Sequence, residues 1–188
     1  MTKNYFLVVP LILLMALTRS HHIGNAVSLP DASLAVFFLA GFFFASRSLF
    51  LMLLAQAVMI DYVEITQLSV SDFCISSAYV FLIPTYFAMW LGGRLSAKLH
   101  AIHGNKMAFY LSSIGILSIA TVSAFLLSSG SFYLFSGRFD TLSLSTFIEN
   151  SQMYFPSYAN SAIAYAISGF AILYVIERLP SFISKKAI

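Results

Sequence analysis

The chain has 188 residues, 60% of them hydrophobic and 9% charged, with a formal charge of +3 at pH 7. Soluble domains carry about 25% charged residues, so a water-soluble globule is excluded and an integral membrane protein is expected. A single cysteine rules out an internal disulfide and a multi-cysteine zinc site. The basic residues form no stripe of the kind that binds nucleic acid.

Lys3 and the apolar run from Tyr5 to Ala16 have the outline of a signal peptide. The run ends in MALTRSHH, without a small-x-small cleavage site, so the reading is a first membrane helix near residues 4 to 19. Ser20 to Ala32 is polar and reads as a loop. Residues 32 to 46 and 48 to 60 are each short of the roughly 20 residues a straight spanning helix needs. They predict two helices with a tight turn at Ser46-Arg47-Ser48, each extending into its polar flanks. Asp61, Glu64 and Asp72 then fall on a short polar connection.

A fourth helix is expected over Phe73 to Gly93, uncharged throughout and kinked where Pro84 removes a backbone hydrogen bond. Residues 94 to 106 make a basic connection, and a fifth helix lies within 107 to 128. Residues 129 to 158 form the longest connection, rich in aromatics, with a short interfacial helix in TFIENSQMYF. A sixth helix spans about Ala159 to Ile176, before a basic tail. No repeat or long polar insertion divides the chain, so residues 1 to 188 form one domain.

Six crossings bring both termini to one side. Lys3, Arg47, Arg94, Lys98, Lys106, Arg178, Lys185 and Lys186 fall there, and only Arg19 and Arg138 lie opposite. The positive-inside rule makes the termini cytoplasmic. The acids segregate the other way: Asp31, Asp61, Glu64, Asp72, Asp140 and Glu149 lie outside, and Glu177 alone inside. Polar chemistry gathered at the outer face suits a receptor for something arriving from that side.

Cys74 stands in the first turn of the expected fourth helix, beside Asp72. The helix dipole favours its thiolate and the acid disfavours it, so sequence leaves the direction open. A thiolate suits a soft or borderline metal, whereas a free cysteine is otherwise a small buried hydrophobe. Of His21 and His22, adjacent in sequence, one at most faces a given ligand. Asp61 at the edge of hydrocarbon is costly unless paired or functional. Arg138 is a partner for an acid or an anionic group, and Phe132, Tyr133, Phe135 and Phe139 beside it suit a large flat ligand. A Cys74–His22–Asp61 triad has no supporting motif context, and no nucleotide-binding loop or His-Glu-x-x-His motif occurs. Any ATP-driven step needs a partner.

The stretches SHHIGNAVSLPDASLAVFFLAGFFF, DYVEITQLSVSDFCISSAYVFLIPTYFAMWLGGR and SFYLFSGRFDTLS resemble BtuM proteins, the cobalamin-specific S-components of energy-coupling-factor (ECF) transporters. The resemblance runs from about residue 19 to 165. It implies an all-α, six-helix S-component-like bundle in the bacterial cytoplasmic membrane, binding cobalamin in an outer pocket. It places Cys74 as the ligand to cobalt, with His22, Asp61 and Tyr79 as further pocket residues and Arg138 as a basic contact. It also implies membrane lipid and an ECF energising module as partners, and a transporter rather than an enzyme. The small-xxx-small docking pattern common on the first helix of S-components is absent from YFLVVPLILLMALT. Thiolate ligation further suggests loss of an upper cyanide ligand. The alternative from another class is a membrane-embedded thiol enzyme using Cys74 as nucleophile.

Overall fold

The computed structural model describes residues 7–20, 29–67, 76–102, 106–140 and 142–185, with side chains for all but 101, 102, 106–108, 110 and 173–185. Among these residues the chain is all-helical: α1 (Val8–Arg19), α2 (Ser33–Phe43), α3 (Arg47–Gln67), a 3-10 helix (Ser77–Phe81), α4 (Leu82–Ile102), α5 (Lys106–Phe135) and α6 (Leu144–Lys185). Among the described residues two stretches are long and apolar enough to cross a membrane, Arg47–Gln67 and Leu111–Phe135. At 1.5 Å per residue they extend about 31 and 38 Å, against a hydrocarbon core of about 30 Å. Their outward faces carry exposed Leu51, Met59 and Tyr62 on α3 and Leu111, Ile114 and Ile119 on α5.

The centre of the bundle is α2. Its sequence SLAVFFLAGFF is apolar all round, and a helix of that kind is stable only when covered on every side. It packs against α1, α3, α4 and α6, and every residue from Ala32 to Phe42 is buried. With 11 residues it is too short to span hydrocarbon by itself, and it does not extend into its polar flanks as the sequence suggested. The connection to α3 is as tight as expected but sits at Phe44–Ser46, where Ala45 takes a positive φ of 49°. Two glycines let α2 and α4 approach backbone to backbone: a Cβ at Gly41 would strike the Trp90 carbonyl, and one at Gly93 the Phe38 carbonyl. Ser96 Oγ donates to Ser113 Oγ at 2.7 Å between α4 and α5, and Gln56 Nε2 to the Ile12 carbonyl at 2.8 Å between α3 and α1.

Four expected boundaries need correction. Asp61 and Glu64 lie on the last two turns of α3 rather than on a loop. The fourth helix is α-helical only from Leu82, so Pro84 sits in its first α-helical turn, directly after the 3-10 helix, rather than in the interior of a long α-helix. The same helix runs on through Arg94 and Lys98 to Ile102, absorbing most of the basic connection. Lastly, the long connection at 129–158 shrinks to the residues between Phe135 and Leu144. Both neighbouring helices extend into it, and TFIENSQMYF is part of α6.

Candidate functional site

α1 ends on Arg19, whose side chain is 10% exposed. A guanidinium so placed needs acceptors to offset its lost hydration. Arg19 finds them on three other helices. Nε and Nη2 donate to Asp61 Oδ1 and Oδ2 on α3, each at 2.6 Å, in the paired geometry that makes arginine–carboxylate contacts strong. Nη1 donates to Tyr86 Oη on α4 at 2.7 Å, to Ser33 Oγ on α2 at 3.1 Å and to Asp31 Oδ2 just before α2 at 3.4 Å. The Tyr86 ring is fixed in turn by stacking on Phe37 at 4.3 Å.

Asp61 takes a third bond, from the Tyr79 hydroxyl on the 3-10 helix, at 2.6 Å. Burial, then this bond to a carboxylate, push the Tyr79 phenol above its ordinary value of 10.0, so it stays a neutral donor. Asp31 is oriented by Ser33, whose N–H and Oγ donate to Oδ1 at 2.9 and 2.6 Å. Thr18 Oγ1 accepts the Ala32 N–H at 3.1 Å, docking the start of α2 on the end of α1. The result is one charged clamp joining α1, α2, α3 and α4 at a single end of the bundle.

That clamp forms one wall of a half-open cavity of about 740 Å³. It lies where α1, α3 and α5 end and α2, α4 and α6 begin, an arrangement that alternating helix directions produce at one end of a bundle. Arg19, Asp31, Asp61, Tyr79 and Tyr86 line the clamp side. Phe125, Phe132, Tyr133, Phe139, Phe147 and Tyr154 supply an aromatic lining from α5, the following loop and α6. These rings brace one another: Tyr133 lies 4.6 Å from Phe139 and 5.4 Å from Phe147. The Tyr133 hydroxyl accepts the Ser143 N–H at 2.7 Å and donates to the Ser143 carbonyl at 2.9 Å, pinning the α5–α6 connection beside the cavity. Serines, Thr85, Asn150 and Tyr158 provide the remaining polarity. Among the described lining residues there is no cysteine, histidine or lysine. The wall they form offers shape, hydrogen bonds and fixed charge, which are the means of binding.

Of the residues singled out in the sequence, Asp61 and Tyr79 are brought together on the cavity wall. Arg138 is exposed on the α5–α6 connection next to Phe139, and its side chain does not line the cavity. His22 and Cys74 lie outside the described residues. Among the described residues no three His, Cys, Asp or Glu side chains cluster as a metal site. Sequence reasoning missed Arg19, the centre of the clamp, together with Ser33 and Tyr86. The available signal was that Arg19 and Arg138 are the two basic residues on the acidic side of the predicted topology. An arginine at the end of an apolar helix needs a partner, and the nearby acids supply it.

Compared with known proteins, the chain matches no protein-family model and no curated protein.

Proposed function

We propose that this chain is a multi-pass subunit of the bacterial cytoplasmic membrane that takes up cobalamin, binding it in the cavity at the outer end of a six-helix bundle with cytoplasmic termini. The observation that carries this reading is the cavity of about 740 Å³ walled by braced aromatic rings, with Asp61 and Tyr79 paired on its opposite side. Its volume lies in the upper part of the range for small-molecule sites, about 300–1,000 Å³. Being half-open, it can take a flat corrin against its aromatic side and leave the bulky lower substituent outside. The resemblance of three stretches to BtuM proteins supports the same ligand and names Asp61 and Tyr79 on independent grounds.

In this reading Cys74 supplies a thiolate to the cobalt, a borderline metal that sulfur suits. Thiolate binding exchanges one ligand on cobalt(III) for another. The sulfur donates its pair, cyanide leaves with the cobalt–carbon pair and is protonated by solvent, and no electron is transferred. Without a nucleotide-binding motif of its own, the subunit depends on an ECF module for energised release.

The test is the visible spectrum of the purified protein with cobalamin, beside Cys74→Ser. The expected result is corrin bands that co-purify and shift in wild type and lose the shift in the variant. Identical spectra remove the cysteine from the mechanism, and equal cyanide loss from both proteins removes the decyanation step. No corrin bound to either protein refutes the reading.

A further inference from the structure

The two sides of the cavity differ in charge. Every charged residue on the described wall lies on the clamp side: Arg19 against Asp31 and Asp61, two carboxylates for one guanidinium. The α5–α6 side is neutral throughout, its polar groups coming from residues such as Ser128, Ser131, Asn150, Ser151 and Tyr158. Two of these, Ser151 Oγ and Tyr158 Oη, are buried with no hydrogen-bond partner among the described residues. A buried hydroxyl without a partner is costly, and a wall that keeps two is suited to a ligand that brings both donors and acceptors.

We infer that the α5–α6 wall reads the peripheral carboxamides of the ligand and excludes ligands with a carboxylate in their place. This rests on the cobalamin reading, since the corrin edge carries primary carboxamides. A carboxamide gives two N–H donors and a carbonyl acceptor, which hydroxyls and the Asn150 amide match in either sense. A carboxylate only accepts, and it would meet hydroxyls on one side and surplus acid on the other. No cation on the described wall is available to it. The Arg19 donors are engaged with Asp61, Tyr86, Ser33 and Asp31, and Arg138 is exposed on the loop, off the lining. The discrimination is therefore built from the absence of a counter-charge, the same device by which a polar site rejects an ill-matched analogue.

The experiment is an equilibrium titration of the full-length protein in detergent, read by corrin absorbance. It compares cobalamin with its monocarboxylates, in which one peripheral carboxamide has been hydrolysed, each isomer taken separately. At least one isomer is expected to bind about tenfold or more weakly than cobalamin. Placing a cation on the neutral wall with Asn150→Lys, or removing surplus acid with Asp31→Asn, is expected to narrow that gap, read as the ratio of the two affinities within each variant, and cooperative thermal unfolding followed by Trp90 fluorescence shows that the variants are folded. Monocarboxylates that all bind wild type within about threefold of cobalamin overturn the inference. So does a gap that neither variant changes. Failure of cobalamin itself to bind refutes the uptake reading and this inference together, whereas equal binding of amide and acid refutes this inference alone.

Discussion

Replacing Arg19 by methionine keeps an unbranched apolar stem and removes the guanidinium. Asp61 then loses two bonds of 2.6 Å and keeps only Tyr79, while Ser33 and Tyr86 lose a donor. Breaking a buried ion pair from one side costs about 3–5 kcal/mol. The two side chains retain 10% and 18% exposure, so the lower end applies, about 3 kcal/mol. Asp61→Asn strands Arg19 with the longer contact to Asp31 and is expected to cost about 2–3 kcal/mol. If the two residues act as one clamp, the double variant costs about as much as either single change, a coupling of about 2–3 kcal/mol. Thermal unfolding in detergent, followed by the fluorescence of Trp90, the single and buried tryptophan, measures this directly. For a chain of this size 1 kcal/mol moves Tm by about 2–4 °C, so Arg19→Met falls by about 6–12 °C, Asp61→Asn by about 4–12 °C, and the double by about as much as either. Single variants within about 2 °C of wild type, or strictly additive losses, would refute the clamp.

The close approach of α2 and α4 gives a second prediction. In Gly93→Ala the new methyl meets the Phe38 carbonyl and, at 2.8 Å, the Phe42 nitrogen, both backbone atoms that cannot rotate away; the helices must separate, at about 1–3 kcal/mol or more. Gly115→Ala is the control: nothing lies within 4 Å of its Cβ, and loss of a helical glycine gains up to about 1 kcal/mol, so its Tm should hold or rise. Phe37, fully buried and stacked on Tyr86, predicts a loss of about 3–5 kcal/mol on Phe37→Ala, again read as a fall in Tm.

How much of this was legible in the sequence depends on range. The helices and the tight α2–α3 turn follow from runs of apolar residues, and these were readable. The extents of α5 and α6 were not. SGSFYLF and TFIENSQMYFPSY carry serines, an asparagine and Pro156, all normally signs of a connection. Inside these helices, however, serine hydroxyls bond back to carbonyls one turn earlier, Ser131 to Ser128 at 2.9 Å and Ser161 to Tyr158 at 3.1 Å. Contacts across the helix pair, such as Phe125 with Phe155 at 5.1 Å and with Tyr158 at 5.2 Å, add tertiary packing that no local propensity contains. Pro84 shows the same limit: the apolar run puts it in the interior of a long helix, whereas the α-helix begins two residues before it at Leu82. The site shows the same limit. Tyr79 was named through a family resemblance alone and Asp61 also as an acid that needs a partner, whereas Arg19 meets Asp61 across 42 residues of chain, and nothing local announces that pairing.

Asp61 also shows how a correctly named residue can act differently from its expected role. A carboxylate has about four lone-pair sites, and Arg19 Nε, Arg19 Nη2 and the Tyr79 hydroxyl fill three of them. At most one remains for a ligand, so direct hydrogen bonding is the smaller part of what Asp61 offers the cavity. The larger part is geometric. Through Arg19 it ties the end of α3 to the ends of α1, α2 and α4, and through Tyr79 it fixes the 3-10 helix that leads into α4. Those are the elements that position one side of the cavity, and a wall already held in place does not have to be ordered when the ligand arrives. The ion pair is therefore best understood as preorganisation. Its charges are costly to bury apart and costly to separate once joined, and it stands opposite a wall whose polar groups, hydroxyls and the Asn150 amide, are neutral.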